Sequence, residues 1–166
     1  CFFFIDQYLS DNRGCTNIFN FNSDIFERNK KFNPNQIIFS KSKKNVFRGF
    51  HYQKRFFQAK IIKLIKGSVE DYVLDIRKYS KTYLKLIKIE LNDKEQKYLF
   101  IPKGCAHGYY SKSNECILMY LIQGKYIPKM QSGINLKDKL FKDIVSKKKN
   151  IIQSDNDKKL PILKSI

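Results

Sequence analysis

Phe57-Gln58-Ala59-Lys60-Ile61-Ile62-Lys63-Leu64-Ile65-Lys66, closed by Gly67 and followed by Ser68-Val69-Glu70-Asp71-Tyr72-Val73-Leu74-Asp75-Ile76-Arg77, decides the fold. Both segments are rich in β-branched and aromatic residues, and the glycine between them marks a turn, so they read as two successive strands. Alternation along the first puts Lys60, Ile62 and Leu64 on one face and Ala59, Ile61, Lys63 and Ile65 on the other. Both faces are apolar, so both are expected to be covered, and one of the two lysines points inward. An inward ammonium must meet an anion, a carboxylate or a ligand oxygen; the alternative is a stem that snorkels to the rim. In the second segment Asp71 and Asp75 share a face with Val69 and Val73. A carboxylate among valines calls for a cation, either Lys60 or a histidine.

Further strands are expected at Leu84–Leu91, ended by the Asn92-Asp93 turn, at Tyr98–Ile101, stopped by Pro102 and Gly104, and at Cys116–Ile122, which is almost wholly apolar. Short strands at this spacing, in a chain with 14 Phe and 10 Tyr, predict an all-β sandwich or barrel. Helix is confined to pieces near Ser23–Asn29 and Lys137–Val145. The whole chain, 1–166, reads as one domain, with the tail 146–166 packing back toward the pocket through an apolar hook, Leu160-Pro161-Ile162-Leu163.

A formal net charge of +18 attracts anions, and 42% hydrophobic residues exclude a disordered chain. The lysines are dispersed, with no Arg-rich stretch, basic helix or zinc-finger spacing, which favours a small anionic ligand over nucleic acid. Cys1, Cys15, Cys105 and Cys116 form no C-x-x-C pair and read as free thiols of a reducing compartment, the cytoplasm. No apolar run suits a membrane span or a signal peptide, so no membrane partner is expected. The first residue is Cys1 rather than an initiator Met, which leaves an N-terminal truncation open.

The only histidines are His51, in Arg48-Gly49-Phe50-His51-Tyr52-Gln53, and His107, in Ile101-Pro102-Lys103-Gly104-Cys105-Ala106-His107-Gly108. Each stands near a glycine that lets backbone approach closely, which opens a catalytic reading beside the structural one. Two imidazoles with no H-x-H pair are too few for a catalytic metal site, so no metal is expected. Tyr120, with Cys116 and Leu118 on its face, reads on the residues alone as a core tyrosine. Asp157, in Ser154-Asp155-Asn156-Asp157, reads as a turn or a helix cap.

Taken in order, these segments resemble the dTDP-4-dehydrorhamnose 3,5-epimerase family. The resemblance runs from Asp11-Asn12-Arg13-Gly14 through Arg48–Gln53, Gln58-Ala59-Lys60, Gly67–Asp71, Asp75-Ile76-Arg77, Ser80-Lys81-Thr82-Tyr83, Ile101-Pro102 to His107-Gly108, Met119-Tyr120, Tyr126 and Pro128, to Pro161-Ile162-Leu163. It implies a cupin-like double-stranded β-helix, or jelly-roll barrel, usually dimeric through exchanged N-terminal strands. It also implies a 4-keto-6-deoxy sugar on a nucleoside diphosphate, most readily a dTDP sugar, and no cofactor. By the matching positions His51 resembles the general base, Asp157 its orienting carboxylate, Lys60 the cation beside the enolate, and Tyr120 the acid on the opposite face. Arg13, Gln36, Arg48 and Tyr126 resemble nucleotide or diphosphate contacts, with Asp71 and His107 as further pocket residues. The residue types suit the chemistry, because an enolate needs a fixed positive charge and a base near neutral pKa. The sequence departs from the family at Thr16, Ile18, Ile38 and Leu136, where an aromatic, a Glu, an Asn and a Trp are usual. The competing readings are a non-catalytic cupin-like sugar-nucleotide binder and a basic nucleic-acid-binding barrel.

Overall fold

The computed structural model describes residues 1–4, 7–19, 32–55, 57–95 and 97–163. Period-two alternation with apolar residues on both faces cannot be satisfied by a single exposed sheet, and the chain buries its strands in two. One sheet runs β1 (Phe2–Phe4), β9 (Tyr98–Ile101), β6 (Ala59–Lys66), β11 (Glu115–Gln123), β4 (Gln36–Lys43). The other runs β12 (Gln131–Gly133), β5 (Phe47–Gln53), β10 (Cys105–Ser111), β7 (Ser68–Asp75), β8 (Leu86–Asn92). Neighbours in both sheets are antiparallel, and β2 (Gln7–Asp11) and β3 (Gly14–Ile18) make a separate hairpin.

Three apolar layers result. Between the sheets lie Ile62, Leu64, Leu99, Ile101 and Leu118 from the first and Val69, Val73, Leu91 and Tyr109 from the second. Ile61, Tyr98, Phe100 and Leu121 face outward from the first sheet against Phe4 and Phe32. Behind the second sheet, Phe47, Phe50, Tyr72 and Leu74 pack on Ile134, Leu136, Phe141 and Ile144. The choice between the two lysines is thereby resolved. Lys60 shares the inner face with Ile62, whereas Lys63 lies on the outer face, 4.4 Å over the Tyr98 ring and donating to Asn17 Oδ1 of the hairpin at 3.2 Å.

Strand ends differ from the sequence expectation for local reasons. β7 stops at Asp75 because that carboxylate turns to Arg77, Ser80 and Thr82. β8 begins at Leu86 rather than Leu84, which sits at a left-handed φ of 59°. The expected 137–145 helix is a 3-10 turn, Lys139–Phe141, followed by α1 (Lys142–Ser146), with the Asp138 carboxylate accepting from Leu140 N–H at 3.0 Å. The expected Ser23–Asn29 helix lies outside the described residues.

The tail returns along the barrel. Phe47 N–H donates to Ile152 O at 2.9 Å, and Asn135 Nδ2 donates to Lys158 O and Leu160 O at 2.7 and 2.9 Å. Leu163 N–H reaches the Asp138 carboxylate at 2.7 Å. Between these anchors stands a single turn, α2 (Asp155–Lys158), capped by the Ser154 hydroxyl.

The layer behind the second sheet depends on Phe141, wholly buried and stacked on Phe50 at 3.9 Å. Phe141→Ala should therefore cost about 3–5 kcal/mol, read as a lowered denaturation midpoint in urea; a midpoint within experimental error of the parent would show that this layer carries little stability.

Candidate active site

Strands β5 and β10 set the site. His51 stands directly opposite His107, yet Arg48 stands opposite Tyr109, so β5 carries one residue more than β10 between these pairs. This is a β-bulge. Gly49 occupies it at φ 125°, and a Cβ there would lie 2.4 Å from Gly108 Cα and 2.8 Å from His107 O. Only glycine allows that approach.

Nε2 of His51 lies 2.7 Å from Oδ1 of Asp157, which α2 presents from the tail. Burial works against the Asp157 carboxylate, but His51, the Gly49 N–H and Ser154 together hold its pKa below the ordinary value. An ionised carboxylate there fixes the His51 proton on Nε2 and leaves the Nδ1 lone pair free. The second histidine repeats the pairing deeper in the barrel. His107 Nε2 lies 2.8 Å from Asp71 Oδ2, and Asp71 is wholly buried with Oδ1 unpartnered.

Lys60 enters from β6 on the opposite sheet. Burial pushes its pKa down to about 8, and the charge of Asp71 limits the fall. Tyr120, on β11 of that same sheet, stands edge-on to the His107 ring with centroids 6.0 Å apart. Burial raises the Tyr120 pKa well above its ordinary value, and the charges of Tyr109 and Asp71 reinforce this against the opposing charge of Arg48. The phenol therefore keeps its proton at neutral pH. Gln36 shares this inner face, aligned with Ile122 and through it with Lys60, and its buried Oε1 has no partner.

Arg48, Tyr126, His51 and Asp157 line an open cavity of about 550 Å³ between β5, β12 and the returning tail. Arg48 is held there by donating from Nε to Ser42 Oγ at 2.9 Å and from Nη2 to Lys41 O at 3.0 Å. Lys60, Gln36, Asp71, His107 and Tyr120 lie on strands of the two facing sheets and do not line this cavity, and Arg13 stands apart from both groups. It sits exposed at the tip of the β2–β3 hairpin, ion-paired at 2.5 Å with Asp11, and that hairpin touches the outer face of the first sheet. Within one chain it is not brought to the other residues. Sequence reading missed Ser40, Ser42 and Tyr109, whose hydroxyls join at 3.0 and 2.8 Å across the two sheets behind Arg48. The Ser40-Lys41-Ser42 alternation was the available signal. Among the described residues no three His, Cys, Asp or Glu side chains converge as a metal site would require.

Two antiparallel five-stranded sheets enclosing paired histidines and carboxylates define a cupin-like jelly-roll barrel. Residues 1–165 match the dTDP-4-dehydrorhamnose 3,5-epimerase family, and the chain belongs to it. It is 35% identical over 140 residues to the dTDP-4-dehydrorhamnose 3,5-epimerase of Shigella flexneri, spanning 82% of this chain and 77% of that protein. With the Methanothermobacter thermautotrophicus enzyme of the same name it shares 36% identity over 118 residues, 69% of this chain and 62% of the relative's length. The Bacillus anthracis enzyme, solved with TDP and PPi bound, superposes with a TM-score of 0.88 at 28% identity, covering 97% of this chain and 93% of that one. The Legionella pneumophila enzyme in complex with dTDP-4-keto-L-rhamnose superposes with a TM-score of 0.87 at 27% identity, covering 99% and 88%.

The electrostatics of the inner face are directly measurable. NMR titration of Lys60 should give a midpoint near 8, and Asp71→Asn should lower it further, because the charge that stabilises the ammonium is gone. A Lys60 midpoint near 10.5, the value of a free lysine, would show that the ammonium is solvated.

Proposed function

We propose that the chain is a metal-independent epimerase of nucleoside-diphosphate 4-keto-6-deoxyhexoses, inverting C3 and/or C5 through an enolate. The observation that carries this reading is the division of proton-transfer groups between two walls. His51, backed by Asp157, projects from β5 of one sheet, while Lys60 and Tyr120 project from β6 and β11 of the other. Inversion needs a base and an acid on opposite faces of the sugar, and a ketone acidifies its neighbouring C–H bonds only if charge on the enolate oxygen is stabilised.

In this mechanism His51 Nδ1 takes the proton beside the ketone, and Asp157 supports the imidazolium that results. The Lys60 ammonium sits beside the enolate oxygen where water is excluded. Tyr120 returns a proton from the far side. Arg48 and Tyr126 bind the diphosphate and nucleoside, Gln36 contacts the substrate from β4, and Asp71 with His107 completes the pocket floor. No cofactor enters the reaction. A dTDP-linked sugar is the substrate class that the complexes of the related enzymes favour. Arg13 joins the site from a second copy, in a homodimer that exchanges N-terminal strands; the exposed Ile37 and Phe39 on edge strand β4 support such a partner. The chain acts as one domain in the cytoplasm, a location supported by four free cysteines. No helix among the described residues is long and apolar enough to cross a membrane.

The test is solvent deuterium incorporation into 4-keto nucleotide sugars, read together with product configuration. His51→Ala should lower exchange by ~10²–10⁴-fold while nucleotide binding persists. A protein that binds the sugar nucleotide without any exchange would instead be a non-catalytic binder. Tyr120→Phe should still incorporate deuterium through His51 and Lys60, yet inversion should fall sharply; full inversion at the parent rate would remove Tyr120 from the mechanism. Turnover should survive EDTA, and loss that a divalent ion restores would overturn the metal-independent reading.

A further inference from the structure

A second and larger cleft, about 860 Å³, opens away from these residues, between the exit of β5 and the connection from β7 to β8. Its floor is built from Tyr52, Ile76 and Leu163, which belong to the apolar layer behind the second sheet. Tyr52 follows His51 on the strand, so the alternation that turns His51 into the barrel turns Tyr52 out of it. Among the described residues the two cavities share no lining residue.

Three further features set this cleft apart from an ordinary surface depression. Its walls carry Phe57, Tyr79 and Tyr83, aromatic rings that are 41%, 102% and 42% exposed and have no core to fill. Lys54, Arg55 and Lys78 stand among them, and among the described residues no acidic one lines the cleft. Asp75, the nearby carboxylate, is already bound by Arg77, Ser80 and Thr82. Finally, Tyr52 is 5% exposed and its hydroxyl has no hydrogen-bond partner, an arrangement a folded protein seldom leaves unused.

We infer that this cleft is a second binding site, separate from the proton-transfer pocket, for a mononucleotide. Flat aromatic rings flanked by uncompensated cations suit a ligand with a stacking ring and an anionic group, which is the chemistry of a nucleoside phosphate. The size favours a single small molecule over a polymer, since small-molecule sites fall at roughly 300–1,000 Å³ whereas a polynucleotide needs an extended track. The base stacks on Tyr83 and Phe57, and the phosphates meet Lys54, Arg55 and Lys78.

Equilibrium dialysis of the full chain with labelled TDP and, separately, ATP tests this. The double variant Arg48→Ala/Tyr126→Ala removes nucleotide contacts in the cavity beside His51, so remaining binding reports the second cleft. At least one of the two nucleotides should still bind it with one site per chain. Adding Tyr83→Ala, or Lys54→Glu with Lys78→Glu, should weaken that binding tenfold or more, and Tyr83→Phe should retain it. In the otherwise unaltered protein, Tyr83→Ala should leave epimerisation unchanged. Absence of binding by either nucleotide up to millimolar concentration, in a variant whose circular dichroism matches the parent, would overturn the inference. So would binding indifferent to the Tyr83 and lysine substitutions, or a single-stranded oligonucleotide that displaces the mononucleotide at far lower concentration. These outcomes are distinct from failure of the epimerase reading, which would appear as absent deuterium exchange irrespective of dialysis.

Discussion

Everything in the pocket depends on the contact of Gly49 with Gly108. The two backbones meet so closely that a methyl group on either glycine would strike the other strand. That closeness accommodates the extra residue of β5, and the extra residue sets which side chains of β5 face the barrel. A strand slipped by one position would turn His51 out and Tyr52 in. As built, His51 lies across from His107, and each ring finds a carboxylate from another part of the chain: Asp157 from the returning tail and Asp71 from β7. The tail therefore contributes a partner to His51 as well as packing. Asn135, holding the carbonyls of Lys158 and Leu160, helps to keep Asp157 at hydrogen-bonding distance from His51.

Asp71 supplies the second constraint. An isolated carboxylate in an apolar interior costs far more than one hydrogen bond returns, and its neighbours are those that such a charge requires. His107 takes one oxygen. The charge of Asp71 moves the pKa values of Lys60 and Tyr120 in the same direction, upward. For lysine this opposes burial and keeps an ammonium present near neutral pH. For tyrosine it adds to burial and keeps the phenol protonated. One buried anion thus acts on both an ammonium and a phenol of the facing wall, while His51 is paired with a different carboxylate. In the proposed mechanism these two carboxylates in two environments separate the acid from the base.

Much of this was legible in the sequence because alternation is a local property. The strands around Gly67, the buried character of 116–122 and the placement of Asp71 among valines follow from period two alone. The choice between Lys60 and Lys63 did not, since both faces of β6 are apolar. It is settled by the β2–β3 hairpin, which supplies Asn17 as a partner for Lys63. Asp157 looked like a cap, and it does lie in a turn capped by Ser154; its bond to His51 spans 106 residues, and no local pattern announces it. The Ser40–Tyr109–Ser42 bridge was missed for the same reason, being a contact between sheets rather than along a strand.

The departures from the family pattern fall in different places. Leu136 is buried in the layer behind the second sheet, packed with Phe50 and Phe141, so the smaller side chain there is a core adjustment. Thr16 lies exposed on the hairpin and Ile18 stands at the end of the same strand, away from the inner face of this chain. Ile38 alone lies on the inner face, directly across from Tyr120 and two residues beyond Gln36 on the same face of β4. An Asn there would offer an amide to its neighbours; an isoleucine cannot, and Gln36 Oε1 is buried without a partner beside it. A buried acceptor left open costs stability unless something donates to it. In the proposed mechanism that donor is the substrate, so the loss of one polar group on β4 makes Gln36 more dependent on what binds. In that mechanism the altered positions spare the His51, Asp157, Lys60 and Tyr120 set and concentrate their effect on how the substrate is held.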